Sequence, residues 1–309
     1  MSDTHAKLDA LVARARNLPK PVTAVAHPCD AASLEGALQA HIAGLITPIL
    51  VGPIGRIRAA AAEVGLSLDD VRIVDTPHSH ASAARAVALV RAGEAQALMK
   101  GSLHTDELMA EVVAKDTGLR TARRVSHVFI LDVPTYDKLL LVTDAAVNIF
   151  PTLDDKVDII ANSIDLARAL GIAKPLIAIL SAVETVTAKI PSTIEAAALC
   201  KMAERGQSVG GLLDGPLAFD NAINLDAART KHIVSPVAGQ ADILMVPDLE
   251  AGNMLVKTLT FLARADGGGI VMGARVPIIL TSRADGERTR LASCAVAVLL
   301  ARKPATPGV

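Results

Sequence analysis

The chain has 309 residues, 51% of them apolar, yet it contains no Trp, one Tyr and four Phe, and its 31 basic and 32 acidic residues leave a formal charge of -1. Such a length can bury a large core and suggests two domains, and a core short of aromatics must be built from Ala, Val, Leu and Ile, which suits parallel strands covered by helices on both faces. The lack of a basic run and of aromatics for base stacking argues against nucleic acid, and no stretch approaches the roughly 18 uncharged apolar residues of a membrane span.

The start, Met1 to Lys7, has no apolar signal core, so a cytoplasmic protein is expected. An amphipathic helix over about 3–17 opens the pattern. Apolar strands at 21–26, 47–51, 72–75 and 95–99 alternate with helices at 33–45, up to Gly65, and 79–91, with a further helix from Thr105. This alternation means βαβ units and a parallel sheet. Two strands then follow without a helix between them, 125–131 and 139–143, and the broken rhythm puts a domain boundary near Asp144. The second half alternates helix 153–170, strand 176–180, helix 192–205, strand 209–213, helix 224–231, strand 242–246, helix 251–264 and strand 268–272. Ser192 and Glu195 have capping-box spacing. A last strand from Val276 ends at Ser282 and Arg283, and an Ala-rich helix spans about 286–302. Cys29, Cys200 and Cys294 lie far apart in apolar surroundings without C-x-x-C, and are expected as reduced core cysteines.

In open α/β sheets ligands sit outside the carboxyl ends of the strands. Those positions hold Lys100, Asp144, Ser181, Asp214, Asp248 and the pair Ser282–Arg283. A hydroxyl and a guanidinium where a strand yields to a helix suit an anion, because the first N–H groups of a helix are unpaired and its dipole is positive there. A serine cap beside a surface arginine is the plainer alternative. Lys100 and Gly101 precede a helix that Thr105 would cap, and either meet phosphate or form a solvated turn. Asp220 and Asn221, after a Gly-Pro turn, are possible polar contacts, and Asn253 either caps a helix or reaches a ligand. There is no G-x-x-x-x-G-K-[ST], no G-x-G-x-x-G after the first strand and no H-x-x-x-H. His104 and His127 are possible bases, but no Ser-His-Asp or G-x-S-x-G pattern accompanies them.

Taken in order, Met99-Lys-Gly101 with Thr105-Asp106, Thr143 to Asn148, Asp214 to Asn221, Ser235 to Gly239, Val246 to Asn253 and Thr281 to Arg283 resemble the phosphate acetyltransferase and phosphate butyryltransferase family. The likeness is greatest to the branch found both alone and fused behind a hydratase-like domain, and here the chain is expected to stand alone. The resemblance implies two three-layer α/β/α domains of the isocitrate/isopropylmalate dehydrogenase-like type, with a cleft between them and a homodimeric assembly. It also implies that the last helix rejoins the first domain, giving 1–144 plus 284–309 and 145–283. The implied reaction is reversible, direct transfer of an acetyl or butyryl group between coenzyme A and inorganic phosphate in that cleft. Coenzyme A is then substrate or product, with no permanently bound cofactor and no metal.

By the same resemblance Ser282 and Arg283 stabilise the transferring acyl group and its oxyanion, while Lys100, Asp144, Asn148, Asp248 and Asn253 organise the site or bind substrate. Acetyl-specific relatives carry an aspartate, proposed to deprotonate the thiol, where an ungapped count finds Thr289, leaving Asp285 and Glu287 as nearby candidates. They also carry an arginine where this chain has Leu108-Met109-Ala110, and Arg123 or Arg124 could supply that charge. Two other readings stand beside this one: a non-catalytic acyl-CoA or phosphate sensor, and a metal- and NAD-dependent 2-hydroxy-acid dehydrogenase of the same fold.

Overall fold

The computed structural model describes residues 5–207, 210–280 and 286–301. In chain order the elements are α1 (Ala6–Arg16), β1 (Val22–Ala26), α2 (Ala31–Ile42), β2 (Thr47–Gly52), α3 (Ile54–Val64), β3 (Arg72–Asp75), α4 (Ser79–Arg91), β4 (Ala97–Lys100) and α5 (Thr105–Val113). Then come β5 (Ser126–Asp132), β6 (Leu140–Thr143), α6 (Leu153–Ala169), β7 (Leu176–Leu180), α7 (Pro191–Glu204), β8 (Leu212–Leu217), α8 (Phe219–Ile223), α9 (Leu225–Thr230), β9 (Ile243–Met245) and α10 (Leu249–Phe261). The chain closes with β10 (Asp266–Met272), β11 (Ile278–Ile279) and α11 (Glu287–Leu300). By its internal contacts it divides into two compact units, Leu8–Val125 with Gly267–Val309, and Met1–Lys7 with Ser126–Asp266. The sequence rhythm put the boundary at Asp144. Contacts divide the chain before Ser126 instead, because β6 pairs with β9 and carries its hairpin partner β5 with it.

In the unit containing the first four strands the order is β3-β2-β1-β4-β11-β10, parallel except for β10 against β11. α2 touches α3 and α11, whereas α4 touches α5. With right-handed crossovers this puts α2, α3 and α11 on one face and α4 and α5 on the other. The strands are short aliphatic runs buried on both sides, such as Ala24, Val25 and Ala26 or Ala97, Leu98 and Met99. α11 is buried from Ala292 to Leu300, as its near-continuous run of small and aliphatic residues requires. From β1 the chain steps outward to β2 and β3, then lands β4 on the opposite side of β1. The helices following β1 and β4 therefore leave on opposite faces and open a crevice at the carboxyl ends of those two strands.

The other unit repeats the device with the order β5-β6-β9-β7-β8, in which only β5 runs antiparallel. α6 lies against β5, β6 and α7. On the other face Leu131, Val142, Ala178 and Leu244 pack with Ala222, Ala228, Val256 and Leu259 from α8, α9 and α10. Burying an aliphatic side chain of this size stabilises by roughly 1.5–3 kcal/mol, so this layer is what holds α10 in place. β6 and β9 are neighbours whose following helices, α6 and α10, cover opposite faces. Their carboxyl ends form the second crevice.

Three local expectations are corrected. Ser192 and Glu195 do not cap α7: Ile190 is the N-cap, Pro191 occupies the first turn, Ser192 Oγ bonds Ser181 Oγ at 2.8 Å and Glu195 pairs with buried Lys156. A working capping box sits instead at Thr152 and Asp155 of α6. α5 begins at Thr105 but its N-cap is His104, whose N–H donates to Glu107 at 3.4 Å. The strand expected at 209–213 is Leu212–Leu217, so Asp214, Gly215 and Pro216 belong to the strand itself.

Candidate functional site

At the β1–β4 crevice the loop after β4 is tied to the end of β1. Gly101 N–H donates to Ala26 O at 2.8 Å, and the Ser102 N–H and hydroxyl both donate to His27 O, at 2.8 and 2.9 Å. A Cβ on Gly101 would stand 2.4 Å from Ala26 O, so only glycine allows this approach. Lys100 is half-buried here, its ammonium donating to Gly101 O at 3.2 Å. His27, at φ 56, turns the chain out of β1; its Nδ1 lies 3.0 Å from Ser82 Oγ and its Nε2 3.5 Å from Arg56. Burial, then the Arg56 charge, holds its pKa below the usual 6.5.

At the β6–β9 crevice the structure brings four expected residues together: Asp144, Asn148, Asp248 and Asn253. The Thr143–Asp144 peptide is cis, and the Asp144 carboxylate is buried. Its Oδ1 accepts the N–H groups of Ala146 and Val147 at 2.9 and 3.0 Å, and its Oδ2 accepts those of His127 and Asn148, each at 3.2 Å, and the Asn148 amide at 2.6 Å. Five donors fill the capacity of a carboxylate. Asp144 is therefore the organiser of the loop over 144–148 and is not a free base. Asp248 caps α10, accepting from Ala251 N–H at 2.8 Å. Asn253 is not the cap; it lies inside α10 and donates to Ala145 O at 3.3 Å. Between them Gly252 lets α10 close on the loop, since a Cβ there would stand 2.8 Å from Ala145 Cβ.

His127 belongs to this cluster, although its sequence context gave little reason to choose it. β5 is antiparallel, so its beginning, not its end, lies at the carboxyl edge of the parallel strands. The ring packs on Phe129 with centroids 4.4 Å apart and is buried, and its Nδ1 has no hydrogen-bond partner. Burial pushes its pKa below 6.5, against the opposing pull of Asp144. Asn221 is also buried, donating to Glu184 at 3.3 Å, so it supports a loop instead of facing outward.

Lys100 lies in the other compact unit, and Ser282, Arg283 and Asp285 fall outside the described residues. Among the described residues no three His, Cys, Asp or Glu side chains converge as metal ligands. The cysteines are free, and burial raises their pKa values to about 11 for Cys29 and about 12 for Cys200 and Cys294, which makes them poor nucleophiles.

The depressed histidines predict acid lability. In the unfolded chain His27 and His127 take up protons near pH 6.5, whereas in the fold they do so only at lower pH. Below 6.5 the unfolded state then binds more protons, and stability falls with pH by up to about 1.4 kcal/mol per unit for each such group. Urea midpoints measured at pH 7.5, 6.5 and 5.5 should decline, and His127→Phe should flatten part of that decline.

Two mostly parallel α/β units with polar loops gathered where strands diverge define an open α/β protein. Residues 79–298 match the profile described as phosphate acetyl/butaryl transferase, and the chain belongs to that family. It is 67% identical over 297 residues to a phosphate acetyltransferase of Rhizobium meliloti, covering 96% of this chain and 94% of the relative. It is 41% identical to a phosphate butyryltransferase of Clostridium acetobutylicum, covering 93% and 95%. A branched-chain phosphotransacylase from Enterococcus faecalis V583, known from a crystal structure, superposes with a TM-score of 0.80 at 30% identity over 91% of this chain and 99% of that one.

Proposed function

We propose that the protein transfers a short acyl group reversibly between coenzyme A and inorganic phosphate, forming an acyl phosphate and the free thiol. The observation that carries this reading is 67% identity to a phosphate acetyltransferase across nearly the whole of both chains, which also favours acetyl as the group transferred. Chemically the reaction needs a thiolate leaving group, an aligned phosphate oxygen and donors for a tetrahedral oxyanion. A CoA thiol, like a free cysteine, has a pKa of about 8.5, so a modest stabilisation of the thiolate suffices. Ser282 and Arg283 supply the oxyanion donors, and Lys100 binds phosphate. Asp144 and Asp248 hold the loop over 144–148 and the start of α10, so that Asn148 and Asn253 present fixed polar groups. Glu287, the first residue of α11, is the described carboxylate closest in sequence to the position of Thr289.

Transfer is direct, without an acyl-enzyme, in keeping with the high pKa values of all three cysteines. The protein works in the cytoplasm as a homodimer. No described helix is long and apolar enough to cross a membrane, and Met254, Phe261 and Leu262, exposed on and just beyond α10, offer apolar surface for a subunit contact. Initial rates of thiol release with acetyl-CoA and phosphate varied together test the mechanism. Intersecting double-reciprocal lines are expected, and parallel lines would establish an acyl-enzyme and overturn direct transfer.

A further inference from the structure

A buried polar group without a partner is costly, typically about 1–3 kcal/mol, and in a native fold it calls for an explanation. His127 presents that problem beside Asp144. Its backbone is fully engaged: the N–H donates to Asp144 Oδ2 at 3.2 Å and the carbonyl accepts the Thr143 hydroxyl at 2.8 Å. Its ring is buried against Phe129, and Nδ1 bonds to nothing. Strand alternation separates its role from packing toward α6. Ser126 points to that face and bonds the Asn162 amide at 2.9 Å, while His127 shares the opposite face with Phe129, toward the layer containing α10. The same loop that Asp144 holds meets Asn253 of α10 through Ala145 O. A phenylalanine or leucine would fill this place without the cost of an unpaired nitrogen.

We infer that His127 is a substrate-contacting residue of the acyl-transfer site, an uncharged hydrogen-bond partner for an oxygen of the reacting groups. This inference rests on the transferase reading above. A neutral imidazole offers one N–H and one lone pair, so it can donate to a phosphoryl or acyl-carbonyl oxygen without introducing a second charge beside Asp144. Both oxygens are acceptors of the same kind, and kinetics separate them. A phosphate contact shows in the KM for phosphate, and a contact to the carbonyl as its oxyanion develops shows in kcat at saturating levels of both substrates.

The test compares wild type, His127→Phe and His127→Gln for thermal midpoint, kcat and both KM values, using acetyl-CoA and inorganic phosphate. His127→Phe should keep or raise the midpoint, because it removes an unpaired polar group at nearly constant volume, yet lose about 10- to 100-fold in kcat/KM for at least one substrate, as expected for one lost hydrogen bond. His127→Gln, which keeps an amide donor and acceptor, should recover part of that loss. Activity of His127→Phe within twofold of wild type would overturn the inference. So would losses in both variants that merely follow a lowered midpoint, since His127 would then be packing only. If wild type itself releases no thiol with phosphate, the transferase reading fails first, and the two failures are thereby distinct.

Discussion

Asp144→Ala is expected to lower stability by about 3–5 kcal/mol and to abolish activity, because it strands several buried donors at once. Four of the five groups that bond its carboxylate are backbone N–H groups, of His127, Ala146, Val147 and Asn148, and cannot turn away to find other acceptors. Asp144→Asn keeps the volume but places an amide NH2 among donors, so it should fall between wild type and Asp144→Ala. Urea unfolding checks this. A loss below about 1 kcal/mol, typical of a surface position, would mean that the carboxylate does not organise the loop.

Arg283→Ala is expected to lower kcat by about 10²–10³, the usual consequence of removing one oxyanion donor. Arg283→Lys should recover little, since an ammonium keeps the charge but loses the planar pair of donors. Steady-state kinetics of the purified variants decide it, and an Arg283→Ala enzyme as active as wild type would remove that residue from the mechanism.

These two residues also show how unevenly the sequence discloses the protein. Parallel strands announce themselves as short aliphatic runs, and β3, α4 and β7 fall at the residues expected, because each is bounded by turn or cap residues. β8 begins three residues later and ends four later than expected, for a physical reason. Gly215 and Pro216 look like a turn, but β8 ends its unit's strand order, where proline is tolerated, and the missing Cβ of Gly215 lets Ile179 O come within 2.6 Å of the Cβ position. The short α8 holds Asp220 and Asn221, the pair expected after a Gly-Pro turn. Ser192 and Glu195 had capping-box spacing, yet Pro191 already fits the first turn and Lys156 claims the glutamate.

The positions after the strands point to Asp144 and Asp248 as residues that organise the site or bind substrate, but not to the contacts each one makes. Spacing cannot reveal that five donors converge on one carboxylate, or that Asp248 caps α10 while Asn253 reaches Ala145. His127 stands out only as a possible base without supporting pattern, because it sits at the start of a strand, and only the antiparallel pairing of β5 with β6 brings that start to the carboxyl edge.

The most direct measurement is phosphate-dependent release of thiol from acetyl-CoA by the purified protein, without added metal or NAD, with the phosphorus product followed at the same time. One acyl phosphate should form for each thiol released, and acetyl-CoA should re-form when acetyl phosphate and CoA are supplied. Absence of phosphate-dependent release with acetyl-CoA, butyryl-CoA and every other short acyl-CoA would contradict the transferase reading.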